Sequence, residues 1–172
     1  MSKTALKKEL STLTRDQVVE LVLSAYTSSK EVKRYFDFFL NPDIESLTER
    51  YKAALTKEIM RGKRYDSRAR ISRIRATIKD FDSFTPGAEQ SLMLRLFAIE
   101  ALVERERHSR YSPTLIKGTL KLLNDCIAYA DSHLLFDTAK SEIDRILKSG
   151  LLQRGAFKNY LRENMELPGP RL

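Results

Sequence analysis

Cysteine and histidine are scarce in this chain of 172 residues, and each scarcity excludes a kind of site. The single cysteine, Cys126, allows no intrachain disulfide and no multi-thiolate metal centre. Its aliphatic neighbours favour a buried side chain over a nucleophile, since free cysteine usually packs as a small hydrophobe. The two histidines, His108 and His133, lack a second histidine or a cysteine three or four residues further on. We therefore predict no metal site and no cofactor.

Long hydrophobic runs are also absent. The most apolar stretch, residues 92–103, contains Arg95 and Glu100 and is too short to span a bilayer. The first ten residues lack the apolar segment of a signal peptide. We therefore expect no membrane association and a cytoplasmic location.

Sequence motifs of catalysis are missing as well. There is no Gly-rich phosphate loop, no G-x-S-x-G and no H-E-x-x-H. Asp80 and Asp82 are two positions apart, so they cannot share one face of a helix as a paired acid and base. The sequence therefore favours a protein that is not an enzyme, with a catalytic site assembled from distant residues as an alternative.

Helical periodicity dominates the pattern that is present. Apolar residues recur every three or four positions, and the six glycines and five prolines cluster at apparent helix ends. The pattern predicts an all-α fold of about eight or nine antiparallel helices, either stacked pairs in a short irregular solenoid or a compact bundle. We predict one helical domain over residues 1–167 and a flexible C-terminal tail over residues 168–172.

Capping patterns mark several helix ends. Thr14 and Gln17 form a capping box. Thr85–Pro86 and Ser112–Pro113 each combine an N-cap residue with proline at the first helical position. Gly150 fits the end of a later helix.

The helix predicted to begin at residue 86 is apolar on almost every face, which is typical of a helix at the centre of a core. A chain of this length can bury roughly two-thirds of its unfolded surface in one core. We centre the predicted core on Leu92, Leu96, Ile99 and Val103.

Positive charge is concentrated in one segment. Residues 61–79 carry eight basic side chains and one acid, Asp66, whereas the rest of the chain is close to neutral. Six of the eight are arginine, which binds phosphate or carboxylate through two parallel hydrogen bonds where lysine acts as a point charge. On a helical wheel for this segment the charge covers the solvent face, with Arg68, Arg75 and Lys79 on one flank of the apolar stripe.

A second basic cluster closes the next helix and consists of Arg105, Arg107, His108 and Arg110. If residues 68–82 and 86–107 form an antiparallel helical hairpin, the end of the second helix lies beside the start of the first. Both basic clusters would then lie at the same end of the pair and add their fields. The candidate binding residues are Arg61, Lys63, Arg64, Arg68, Arg70, Arg73, Arg75, Lys79, Arg105, Arg107 and Arg110.

Three interpretations fit this charge. The surface can bind nucleic-acid phosphates, bind an acidic protein, or be solvated and paired internally. The candidate internal partners are Asp80, Asp82, Glu104 and Glu106. Only Tyr65 and Tyr111 lie near the cluster, which argues against a dedicated platform for single strands. We favour a non-enzymatic module that binds nucleic-acid phosphates, with a protein-interaction module or scaffold as the alternative; no oligomeric state follows.

The first part of the chain also carries a resemblance. It reads S-K-x-x-L-K-K-x-L over residues 2–10, L-T-x-x-Q over residues 13–17 and V-K-R-Y-F-D-F over residues 32–38, followed by Asn41–Pro42. These residues resemble a bacterial family of uncharacterised all-helical proteins, most clearly over residues 2–42. The resemblance implies a helical cytoplasmic protein and supplies no activity and no site residues. The helix pair of residues 3–26 is also similar to small nucleic-acid-binding modules that start with L-K-x-x-L, but it lacks the glycine of their inter-helix turn.

Overall fold

A computed structural model describes residues 2–148 and 155–169 of the chain. Its backbone contacts divide into two compact units, Met1–Asp43 and Ile44–Leu172. A division by contacts does not test independent folding, so the single domain over residues 1–167 stays a prediction. The predicted helix end at Gly150 and residues 170–172 of the predicted tail lie outside the described residues.

The described residues form nine α-helices and one two-stranded β-hairpin, which confirms the predicted all-α class. Within residues 2–148, successive helices are connected by short segments, apart from the β-hairpin segment between α4 and α5. They are α1 (Lys3–Leu10), α2 (Arg15–Ser28), α3 (Lys30–Leu40), α4 (Ile44–Ile59), α5 (Ile71–Asp82), α6 (Ala88–Glu106), α7 (Pro113–Ser132), α8 (Phe136–Lys148) and α9 (Gly155–Glu163). The strands are β1 (Gly62–Lys63) and β2 (Asp66–Ser67).

The first unit contains α1, α2 and α3. Its predicted capping box is confirmed: the Gln17 amide donates to the Thr14 hydroxyl at 3.3 Å, and the Thr14 amide donates to the Gln17 side chain at 2.9 Å. The Tyr26 hydroxyl donates to the Asp37 carboxylate at 2.7 Å and so connects α2 to α3. None of the three helices has a buried side chain among its described residues.

The second unit is a bundle around α6. This helix contacts α4, α5, α7 and α8, whereas a helix in a linear solenoid contacts only its neighbours in the stack. Leu92, Leu96, Ile99 and Val103 are all at most 3% exposed, so the predicted core is confirmed. Cys126 is fully buried, as predicted, and burial raises the pKa of its thiol to about 12, which removes it as a nucleophile at neutral pH.

Two helices were predicted to begin at a proline, and the structure confirms one of these starts and contradicts the other. Ser112 caps α7 through a 3.2 Å hydrogen bond to the Leu115 amide, with Pro113 in the first turn, as predicted. The prediction for Thr85–Pro86 is wrong, because α6 begins only at Ala88. Pro86 is buried and Thr85 has a φ of 52°, so this turn packs onto the core before the helix starts. Gly87, with a φ of 107°, becomes the N-cap.

The β-hairpin was not predicted, since residues 62–67 read as a polar connection. Lys63 pairs with Asp66 across a two-residue turn, and Gly62 pairs with Ser67. Gly62 has a φ of 110°, which residues with a Cβ rarely adopt. A Cβ there would also contact the Asp66 carbonyl and lie 2.8 Å from the Arg68 amide. This glycine therefore allows the two strands to close.

We expect Leu96→Ala to lower the free energy of unfolding by about 2–5 kcal/mol, because it removes buried apolar surface and leaves a cavity. Urea denaturation measures this change. Met93 on the same helix is 46% exposed, so Met93→Ala is the matched control and should change stability by less than about 1 kcal/mol. Equal losses in the two variants would contradict the placement of Leu96 in the core.

We expect Gly62→Ala to destabilise the hairpin by about 1–3 kcal/mol, because alanine at this φ is strained and its Cβ meets the opposite strand. Amide hydrogen exchange should speed up at Arg68, which donates to the Arg61 carbonyl across the hairpin, and at Ser67, which donates to the Arg110 carbonyl. Gly169→Ala is the control, since a Cβ at Gly169 meets nothing within 4 Å. Unchanged exchange at Ser67 and Arg68 in Gly62→Ala would show that the glycine is dispensable.

Candidate functional site

The β-hairpin lies against the segment that follows α6. The Arg105 guanidinium donates to the Lys63 carbonyl at 2.8 Å, and the Ser109 hydroxyl donates to the Arg64 carbonyl at 3.0 Å. The Arg110 amide donates to the Tyr65 carbonyl at 2.9 Å. Three successive carbonyls of the hairpin are therefore held by one segment, and the hairpin turn cannot move independently of it.

The predicted meeting of the two basic clusters is confirmed by these contacts. Helix α6 packs against α5 and follows it after a short turn, so its C-terminal end comes back to the residues that precede α5. We call the eleven predicted cations the basic surface; most lie at this end of the second unit, whereas Arg75 and Lys79 lie further along α5. Its members are Arg61, Lys63, Arg64, Arg68, Arg70, Arg73, Arg75, Lys79, Arg105, Arg107 and Arg110.

The helical wheel treated Arg68 and Arg70 as helical residues, and this is wrong. Helix α5 begins at Ile71, with Arg70 as its N-cap, so Arg68 and Arg70 belong to the connection that follows the hairpin. The Arg68 amide donates to the Arg61 carbonyl at 2.9 Å and continues the hairpin's hydrogen bonds. The hairpin therefore shortens the helix that periodicity alone would extend.

Four of the eleven cations have a carboxylate partner. Arg70 binds Glu58 through two guanidinium hydrogen bonds of 2.9 and 3.0 Å, and Arg61 lies 3.8 Å from the same carboxylate. Arg75 pairs with Asp125 of α7. Arg107 pairs with Glu104 at 2.9 Å. The interpretation of an internally paired surface thus holds for these four positions.

Most of these partners were not the predicted acids. Of the four acids proposed from sequence, Glu104 pairs as expected, whereas Asp82 binds Arg95 of α6 at 2.6 Å. Glu58 and Asp125 were missed because each lies on a separate helix, and only the packing of α4 and α7 beside α5 brings them to their arginines. No spacing rule within a single helix finds such pairs.

Arg75 has a structural role as well as a charge. Its side chain is only 33% exposed, its Nε atom is buried without a hydrogen-bond partner in the described residues, and its ion pair connects α5 to α7. It does not lie freely on the solvent face as the wheel predicted. Substitution of Arg75 therefore tests packing and charge together.

Seven cations of the basic surface have no carboxylate within ion-pair distance in the described part of the chain. With the exception of Arg105, which is half-buried, they are exposed to solvent. They are Lys63, Arg64, Arg68, Arg73, Lys79, Arg105 and Arg110. Five of them lie in the hairpin, directly after it or among the residues that contact it, and their mutual repulsion falls when an anion binds. The other two, Arg73 and Lys79, lie on α5, where Lys79 lines a cleft together with Asp82 and Asp125.

The two aromatic residues near the basic surface differ sharply. Tyr111 is half-buried, its hydroxyl donates to the Leu102 carbonyl at 2.6 Å, and burial raises the pKa of its phenol. Tyr65 is 67% exposed at the hairpin turn, and the Arg64 guanidinium lies 5.4 Å from the centre of its ring. An open cleft of about 500 Å³ lies beside it, lined also by Asp66, His108, Ser109 and Arg110.

The histidines do not assemble a metal site within the described residues. His108 is exposed, and its Nε2 lies 3.9 Å from Glu104. His133 stacks on Tyr129, with ring centres 4.1 Å apart. No group of three or more His, Cys, Asp or Glu side chains in residues 2–148 and 155–169 could hold a metal ion. In the same residues, no helix is long and apolar enough to cross a membrane.

The Glu58–Arg70 pair should make stability depend on pH. Hydrogen bonding from Arg70 lowers the pKa of Glu58 below its usual value of 4.5, so the folded state favours the ionised carboxylate. This stability is present above the pKa of the unfolded state and is lost as pH falls through the folded pKa. We therefore expect Glu58→Gln to lower the free energy of unfolding at pH 7, and the difference from wild type to shrink on acidification.

Denaturant titrations at several pH values measure this difference. Glu49→Gln is a suitable control, because Glu49 is 66% exposed and pairs with Lys52 of its own helix. A Glu58→Gln deficit that is the same at pH 7 and at pH 3 would show that the ion pair is not its cause.

No curated protein and no solved structure matches this chain. A family model described as "Family of unknown function (DUF6155)" matches residues 1–166. The match extends well beyond residues 2–42, where the resemblance to an uncharacterised helical family was clearest. The chain belongs to the DUF6155 family of unknown function.

Proposed function

We propose that this protein is a non-enzymatic binding module that contacts nucleic-acid phosphates through the basic surface. One observation carries the proposal: of the seven cations without a carboxylate partner in the described residues, five lie in, directly after or in contact with a hairpin that is held in place by hydrogen bonds. Repulsion among like charges lowers the stability of the folded protein, and an extended polyanion is the partner that best offsets this repulsion.

The chemistry of the cations also supports phosphate binding. Arg64, Arg68, Arg73 and Arg110 present planar guanidinium groups that can form two parallel hydrogen bonds with a phosphate. Most of the seven cations without a carboxylate partner in the described residues lie in the hairpin, in the connection after it and on α5. Their charges can therefore contact several successive phosphates of one nucleic acid. These contacts fix the position of a nucleic acid and carry no base sequence by themselves.

An acidic protein is the second candidate partner, because the internal ion pairs show that arginines of this surface bind carboxylates. Arg70 already binds a carboxylate through two hydrogen bonds, so guanidinium groups of this surface suit Asp and Glu as well as phosphate. The two candidates differ in how affinity depends on salt, because only a polyanion with condensed counterions releases them on binding.

The test compares two triple variants that remove equal charge. Lys63, Arg68 and Arg73, all exposed and without a carboxylate partner in the described residues, change to Gln in the first. Lys121, Lys140 and Lys148, exposed on α7 and α8, change to Gln in the second. For a short DNA duplex, we expect log affinity against log salt to become shallower by about 0.9 unit per lost phosphate contact in the first variant only.

Fluorescence anisotropy with the labelled duplex measures both slopes, and poly-L-glutamate is the competing probe. Equal slopes in the two triple variants would contradict the proposed surface. Tight binding of poly-L-glutamate without binding of duplex would favour the acidic-protein candidate. Circular dichroism checks that both variants remain folded, as expected for changes at exposed positions.

A further inference from the structure

We infer that Tyr65 forms a stacking site for one unpaired nucleobase, so that the basic surface binds single-stranded nucleic acid in preference to duplex. This inference rests on the proposed function and specifies the form of its ligand. The sequence alone argues against a platform for successive bases, and of the two aromatic rings near the basic surface only that of Tyr65 is exposed. A single ring captures one base.

The exposure of Tyr65 is the first observation. Its side chain is 67% exposed, although an aromatic ring of this size normally gains stability by burial. Tyr111, the other aromatic residue near the surface, has its hydroxyl bonded to a backbone carbonyl and its ring against Phe157. Of these two tyrosines, only Tyr65 offers its ring to a ligand.

The rigidity of the Tyr65 backbone is the second observation. The Tyr65 carbonyl accepts the Arg110 amide at 2.9 Å, and the preceding Arg64 carbonyl accepts the Ser109 hydroxyl at 3.0 Å. Ser109 is itself 1% exposed, so this anchor is buried. A ring on a fixed backbone loses little conformational freedom when a base stacks on it, and that preserves affinity.

The lining of the adjacent cleft is the third observation. Its volume of about 500 Å³ falls within the usual range for small-molecule sites. The cleft is lined by Tyr65, Asp66, His108, Ser109 and Arg110, and the Ser109 hydroxyl is already bonded to the Arg64 carbonyl. A carboxylate repels a phosphate but accepts hydrogen bonds from the N–H groups on the edge of a base. The cleft therefore suits a base, and the cations around it suit the phosphates on either side.

The position of the cations completes the site. Lys63 and Arg64 precede Tyr65, and Arg110 lines the same cleft, all without carboxylate partners in the described residues. A base inside a duplex is stacked on both faces and paired along one edge, so neither face can reach a side chain at a hairpin turn. An unpaired base can turn outward, which is how single strands are commonly recognised.

The test uses three DNA probes: a short single strand of mixed sequence, an abasic strand of the same length and a duplex. We expect wild type to bind the single strand more tightly than the abasic strand. Tyr65→Ala should weaken single-strand binding by about 5- to 150-fold, the range for loss of one base–aromatic stack, and leave duplex binding unchanged. Tyr65→Phe keeps the ring and should bind like wild type.

The outcomes separate this inference from the proposal on which it rests. Equal single-strand affinity in wild type and Tyr65→Ala, with duplex still bound, overturns the stacking site and leaves the phosphate-binding surface standing. Equal wild-type affinity for the single strand and the abasic strand does the same. Failure of wild type to bind any of the three probes overturns both.

Discussion

The arrangement of the candidate site depends on one set of hydrogen bonds, those between residues 105–110, at the end of α6 and just after it, and the β-hairpin. Arg105, Ser109 and Arg110 donate to three successive hairpin carbonyls, at Lys63, Arg64 and Tyr65. Backbone carbonyls in a two-residue turn would otherwise be left to water. Because these carbonyls accept hydrogen bonds from residues 105–110, the backbone of the turn has a fixed position relative to the core.

This anchoring explains why a surface with so much positive charge can be ordered. Repulsion among neighbouring cations favours a loose chain, and only four of the eleven are offset by a carboxylate. The hairpin resists that repulsion because its backbone is closed by β pairing, by Gly62 and by the contacts from residues 105–110. The charge is thus held in place before any partner arrives, which reduces the entropy lost on binding.

The sequence predicted features that follow from periodicity and local capping. The all-α class, the central helix, the core at Leu92 and Leu96 and the capping box at Thr14 depend on residues a few positions apart, and they are confirmed. The meeting of the two basic clusters was also predictable, because it needs only an antiparallel turn between two helices.

The features that were missed depend on packing between distant segments. Glu58 and Asp125 reach their arginines only once α4 and α7 are placed beside α5. The hairpin has strands of two residues, too short to show an alternating pattern, and the sole local signal for it is one glycine. The start of α6 moved because Pro86 packs into the core, a preference that a capping pattern does not contain.

The central claim is that residues 61–79 and 105–110 form one binding surface for nucleic acid. Backbone amide chemical shifts, followed by NMR while a short single-stranded DNA is titrated in, test it most directly. The account predicts shifts that change together in both segments, largest around the hairpin turn at Arg64 and Tyr65, and small in α8 and α9. Changes confined to other helices, or to only one of the two segments, would contradict it.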